Sequence, residues 1–164
     1  MERGTIHIYT GEGRGKSPAA LGRAVQAAAA GYPVVIIQFL KGKGVDDTEF
    51  ARRMEPEIKL FRFEKSDENF EGLTDEKKAE EIRNIRNGMN FARKVLSTGE
   101  CSLLVLDEVL GLVELGIVTA EDLKNLLEVR GETNVIMTGA YLPDEVCVLA
   151  DEVSKIETMH FQAW

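Results

Sequence analysis

The sequence predicts an α/β fold: an open, mostly parallel central sheet between two helical layers. Short β-rich runs alternate along the chain with longer helical segments. Two of the runs, Val34–Phe39 and Leu103–Leu106, are almost wholly apolar, the pattern of strands buried on both faces of a parallel sheet. Parallel strands need crossover connections, and the intervening helical segments supply them.

The elements follow in order. Thr5–Thr10 (TIHIYT) reads as a strand, and Lys16–Ala30 as an Ala-rich helix stopped by Gly31. Val34–Phe39 is the second strand. Ile58–Phe63 is a third, more exposed because of Lys59 and Arg62. Lys41–Asp47 and Glu64–Gly72 are charged and Gly-containing, so both read as mobile loops. Thr74 caps a long charged helix to about Leu96, with Asp75 and Glu76 where the helix dipole favours acids. Ile82, Ile85, Met89 and Ala92 give that helix one apolar face. Leu103–Leu106 is followed by Asp107 and Glu108. Thr119-Ala120-Glu121-Asp122 starts a helix to about Glu128. Asn134–Thr138 is a buried strand broken by Gly139, and Pro143 opens a helix ending near Ala150. Val153–Met159 reads as the closing strand. No repeat or linker divides the chain, so residues 1–164 are expected to form a single domain.

Composition narrows the function. The 164 residues carry a net charge of −8, with 44% hydrophobic and 29% charged residues, which argues against disorder. An acidic surface disfavours nucleic acid and anionic membranes as partners, although it leaves room for a local basic pocket. The apolar runs fall far below the ~18 residues of a membrane span. The N-terminus lacks the apolar stretch of a signal peptide, so a cytoplasmic location is expected. Cys101 and Cys147 lie far apart and read as reduced, partly buried thiols. With only two Cys and two His at these spacings, no zinc site can be built. Neither His7 nor His160 has a spaced carboxylate or Cys partner, and neither is given a role.

The strongest chemical signal is Thr10-Gly11-Glu12-Gly13-Arg14-Gly15-Lys16-Ser17, placed between a predicted strand and a predicted helix. Alternating glycines let backbone N–H groups converge on an anion. Lys16 can reach phosphate oxygens, the helix start favours negative charge, and the Ser17 hydroxyl can ligate Mg²⁺. Thr10 stands where the general GxxxxGK[ST] pattern has Gly. Asp107, with Glu108 beside it, closes an apolar strand and can hold Mg²⁺ or its water shell opposite Ser17. Together these features predict a P-loop NTPase-like, three-layer fold that binds a nucleoside triphosphate with Mg²⁺.

Five segments then carry a resemblance: TGEGRGKS, VVIIQFLKG (Val34–Gly42), LLVLDE (Leu103–Glu108), NVIMTG (Asn134–Gly139) and LADEVSKI (Leu149–Ile156). In this order, from about Gly4 to about His160, the chain resembles P-loop ATP:corrinoid adenosyltransferases. The Thr at the first loop position is similar to that family's variant. The resemblance implies that a reduced Co(I) corrinoid attacks the 5′ carbon of ATP and releases intact triphosphate, with ATP bound in reverse relative to other P-loop proteins. It implies catalytic roles for Lys16 and Glu108 and places the triphosphate on Gly11 through Ser17, with Thr10 at the head of the loop. Ser17, Asp107 and Glu108 would serve the metal, while Lys41 and Phe70 are substrate contacts. It further implies a homodimer, with a Co(I)-generating reductase as a possible partner.

The chain departs from the family pattern in several places. Ser17-Pro18 replaces the usual Thr-Thr, so Pro18 removes a hydroxyl and an N–H from the cradle. Ala140-Tyr141-Leu142 follows the late TG where relatives often have basic or Gly-rich residues. The first strand is reached almost at once, and the sequence stops at Trp164, short of segments that several relatives carry. The loop before the long helix usually offers aromatics towards the corrin; here it offers Phe70 and Phe63 but no Trp, and Phe61, Phe63 and Phe70 also read as packing residues, with Met89 and Phe91 as helix core. Two other readings stay open: another P-loop ATPase or kinase, and a nucleotide-binding protein without transfer activity.

Overall fold

The structure is a computed structural model that describes residues 2–40 and 48–162. Its elements are β1 (Ile6–Thr10), α1 (Lys16–Ala29), β2 (Val34–Gln38), α2 (Thr48–Met54), β3 (Ile58–Arg62), α3 (Asp75–Thr98), β4 (Leu103–Asp107), α4 (Val109–Glu114), α5 (Ala120–Glu128), β5 (Asn134–Gly139), α6 (Asp144–Cys147) and β6 (Glu152–Lys155). The six strands form one sheet in the order β3-β2-β4-β5-β1-β6. Every neighbouring pair is parallel, as the apolar runs predict.

Strand alternation divides the core in two. Val35, Ile37, Leu104, Leu106, Val135 and Met137 face one side, against Ile85, Ala92 and Val95 of α3 and Leu123 and Leu126 of α5. Val34, Ile36, Leu103, Val105 and Ile136 face the other side, against Ala20 and Ala24 of α1. Alanine suits α1 because a small side chain lets a helix lie close to a sheet. Helix ends follow the sequence signals: Thr74 Oγ1 accepts the Lys77 N–H at 3.3 Å, Gly99 closes α3 at φ 67°, and Thr119 with Asp122 forms a reciprocal capping box.

Several boundaries differ from expectation. Two helices leave no periodic signal: α2 is only seven residues long, and Val109–Leu112 of α4 are all buried, so α4 has no polar face to mark it. The last strand ends at Lys155 rather than Met159, because the chain then leaves the sheet to lie along the loop after β1. The helix at Pro143 ends at Cys147 rather than near Ala150. Cys147 is exposed, not partly buried, whereas Cys101 is buried and burial pushes its thiol up to about 11. Among the described residues, no helix is long and apolar enough to cross a membrane.

Candidate nucleotide site

All six strands point their carboxyl ends toward one edge of the sheet, the edge where open α/β sheets bind ligands. There β1 runs into the loop 11–15 and the loop into α1. Gly15 occupies the helix N-cap position at φ 112° without a side-chain cap, a conformation that favours glycine. The first-turn N–H groups of α1 have no acceptor within the helix, and Pro18 has no N–H to offer. Gly15, Lys16 and Ser17 therefore present the amides available to an anion. The Lys16 ammonium folds back to donate to the Gly13 carbonyl at 2.9 Å, a contact that a phosphate oxygen can replace.

Asp107 is the hub of the opposite wall. The residue is 3% exposed, and its Oδ1 accepts from both Ser17 Oγ at 2.7 Å and Thr138 Oγ1 at 2.7 Å. Thr138 is fully buried and in turn accepts the Glu108 N–H at 2.8 Å. The topology makes this possible. Strand β5 lies between the loop strand β1 and the acid strand β4, so the end of β5 meets both. Thr138 lacks any side-chain signal that separates it from an ordinary strand residue; only the strand order reveals its position.

Glu108 links β4 to α4 in a single left-handed residue at φ 63°. Its Oε1 lies 3.0 Å from where a Cβ on Gly111 would stand, which places the carboxylate along the first turn of α4. The expected metal partners thus divide: Ser17 and Asp107 share a hydrogen bond, while the Glu108 carboxylate lies against the first turn of α4. The donor set is hard oxygen, which suits Mg²⁺. A hydroxyl that donates its proton to Asp107 still has lone pairs for a cation. Among the described residues, no cluster of three or more His, Cys, Asp or Glu could enclose a metal. Substrate phosphates would therefore have to complete any Mg²⁺ shell.

The remaining expected residues fall as follows. Thr10 is buried, and its hydroxyl donates weakly to the Ala140 carbonyl at 3.4 Å. Gly11 and Gly13 lie against residues 156–158, so close that a side chain at either position would collide with that backbone. Glu12 and Arg14 are both exposed on the loop surface. Lys41 lies outside the described residues, as does the segment 41–47. Phe70 is half-buried in a short turn, 70–72, with the Lys78 ammonium 5.8 Å above its ring. Phe61 and Phe63 pack against Phe91 at ring-centre distances of 4.6 and 5.5 Å, as side chains of the core. His7 is a buried partner of Ser154 at 2.9 Å, and burial lowers its pKa.

A second feature of the same edge was not visible in the sequence. Leu40, at φ 54°, donates its N–H to both carboxylate oxygens of Glu64 at 3.0 Å. Glu64, Phe70, Leu73, Glu81 and Leu115 line a cavity of about 400 Å³ beside it. A larger cavity, about 980 Å³, opens at the amino-terminal ends of the strands, away from the loop. Burial, and secondarily the Glu81 carboxylate, push Glu64 up to about 7 against the Leu40 hydrogen bond. Because the folded pKa exceeds the ordinary 4.5, the folded state binds more protons between those values and stability falls as pH rises through them. Glu64→Gln is expected to flatten that decline, by roughly 1–2 kcal/mol after allowing for screening of a half-buried group. Denaturant titrations of both proteins between pH 4.5 and 8 check this; parallel profiles would contradict it.

Known proteins bear on this geometry. The chain matches the family model described as ATP:corrinoid adenosyltransferase BtuR/CobO/CobP over residues 2–163. It is 28% identical over 159 residues to the corrinoid adenosyltransferase of Escherichia coli (strain K12), covering 94% of this chain and 77% of that one. It is 29% identical over 156 residues to the corrinoid adenosyltransferase CobA of Salmonella typhimurium (strain LT2), again covering 94% and 77%. In fold it is similar to a KaiC-like protein from Pyrococcus horikoshii OT3, at a TM-score of 0.58 and 18% identity, covering 97% of this chain and 75% of that one. The P-loop NTPase-like architecture and the match along nearly the whole chain lead to one assignment: the protein belongs to the BtuR/CobO/CobP family of ATP:corrinoid adenosyltransferases.

Proposed function

We propose that the protein transfers the 5′-deoxyadenosyl group of ATP to a Co(I) corrinoid and releases triphosphate. The observation that supports this most is the Ser17–Asp107–Thr138 chain of hydrogen bonds facing an anion-ready helix start, in a chain of this family. In the proposed step, a cobalt lone pair attacks the 5′ carbon. The Co–C bond forms, the C5′–O bond breaks, and the triphosphate leaves with the bonding electrons, while cobalt passes formally from Co(I) to Co(III).

The chain's own work is electrostatic. The leaving group carries several negative charges, and the amides of Gly15, Lys16 and Ser17, with the Lys16 ammonium and Arg14 nearby, stabilise them. No side-chain nucleophile is needed, because the corrinoid substrate supplies it. Mg²⁺ held by the Ser17 hydroxyl, with Asp107 behind it and Glu108 alongside, would neutralise phosphate charge. The Asp107 hydrogen bonds hold the Ser17 hydroxyl in one orientation. Phe70 and Lys41 remain proposed substrate contacts. Residues 1–164 act as one nucleotide-binding domain, in the cytoplasm, as a homodimer supplied by a Co(I)-generating reductase.

Anaerobic incubation with ATP, Mg²⁺ and chemically reduced corrinoid tests the proposal. A light-sensitive alkylcorrinoid spectrum that appears only with protein and ATP is the expected result. If the Co(I) spectrum persists while ATP is hydrolysed, the protein is a different P-loop enzyme.

A further inference from the structure

The segment after β6 does more than end the chain's last strand. Ile156 donates its N–H to the Thr10 carbonyl at 2.8 Å, extending the β1–β6 ladder by one bond, and its carbonyl accepts the Gly13 N–H at 3.2 Å. Two residues on, Thr158 Oγ1 accepts the Arg14 N–H at 2.7 Å. The approach is close: a Cβ on Gly13 would stand 2.6 Å from the Thr158 nitrogen. The glycines at 11 and 13 are therefore explained by this contact as well as by any anion. Two amides of the Gly-rich loop are directed to residues 156 and 158, leaving those of Gly15, Lys16 and Ser17 on the inner side.

We infer that residues 156–158 form the outer wall of the phosphate loop and that Thr158 is a positioning residue for ATP. By holding the Arg14 amide outward, the Thr158 hydroxyl keeps the loop in the curve that aims the next three amides at the phosphates. It acts on nucleotide binding and has no part in cobalt–carbon bond formation. This inference rests on the phosphate-loop reading above.

The test compares ATP affinity, turnover and thermal midpoint for wild type, Thr158→Val, Thr158→Ser and Lys16→Ala. Valine keeps the shape and removes the acceptor; serine keeps the acceptor. Thr158→Val is expected to weaken ATP binding and raise KM for ATP by about threefold to tenfold, the scale of one hydrogen bond. Its kcat and thermal midpoint should stay close to wild type, and Thr158→Ser should restore the affinity. Unchanged or tighter ATP binding by Thr158→Val, with Lys16→Ala still weakened, overturns the role of Thr158 alone. If Lys16→Ala also binds ATP normally, the phosphate-loop reading falls with it.

Discussion

Lys16→Ala is expected to lower kcat/KM for corrinoid adenosylation by about 10²- to 10³-fold, while the folded protein keeps its stability. The asymmetry follows from where the side chain sits. Lys16 is half-buried at the first turn of α1, and its ammonium donates to the Gly13 carbonyl within the same loop. Neither feature contributes to either core layer. A polyanionic leaving group, by contrast, gains negative charge in the transition state at the spot this ammonium can reach, and loss of one such donor typically costs a few kcal/mol of barrier. Steady-state kinetics with a thermal melt on the same sample separate the two effects. An unaltered kcat/KM would remove Lys16 from the chemistry.

Thr138→Val is expected to damage both stability and activity, because this hydroxyl serves two buried partners. It donates to Asp107 Oδ1 at 2.7 Å and accepts the Glu108 N–H at 2.8 Å, with no exposed surface of its own. Valine preserves the volume and deprives both partners. A buried donor or acceptor left without a partner costs about 1–3 kcal/mol, and more where charge is involved. A loss of about 2–4 kcal/mol in unfolding free energy is expected, together with at least a tenfold fall in turnover as Asp107 ceases to hold the Ser17 hydroxyl. Thr138→Ser should recover most of both. Wild-type denaturation and kinetics for Thr138→Val would show that the hydroxyl is dispensable.

These two residues also mark how far the sequence could be read. Lys16 and Ser17 stand in a local pattern, where glycines, a lysine and a hydroxyl next to a strand have one chemical explanation. Asp107 was legible for the same reason, as an acid ending an apolar strand. Thr138 was not, because its role depends on β5 inserting between β1 and β4, an order that no local pattern encodes. The Glu64–Leu40 contact escaped similarly: it joins residues after two adjacent strands and requires a left-handed leucine. The α4 helix, whose first four residues are all buried, and the seven-residue α2 escaped for lack of amphipathic period. The end of β6 was overestimated because Ile156 and Met159 read as strand residues. The chain instead turns at Ile156 toward the phosphate loop, a contact between residues more than 140 positions apart.

Adenosyl transfer differs from phosphoryl transfer in which bond of ATP breaks, and the phosphate product reports it directly. Anaerobic turnover with ATP, Mg²⁺ and a Co(I) corrinoid should release intact triphosphate in equal amount to the alkylcorrinoid formed, as separated and quantified by anion-exchange chromatography. ADP with inorganic phosphate, or AMP with pyrophosphate, in place of triphosphate would mean that attack falls on phosphorus rather than the 5′ carbon, and would contradict adenosyl transfer.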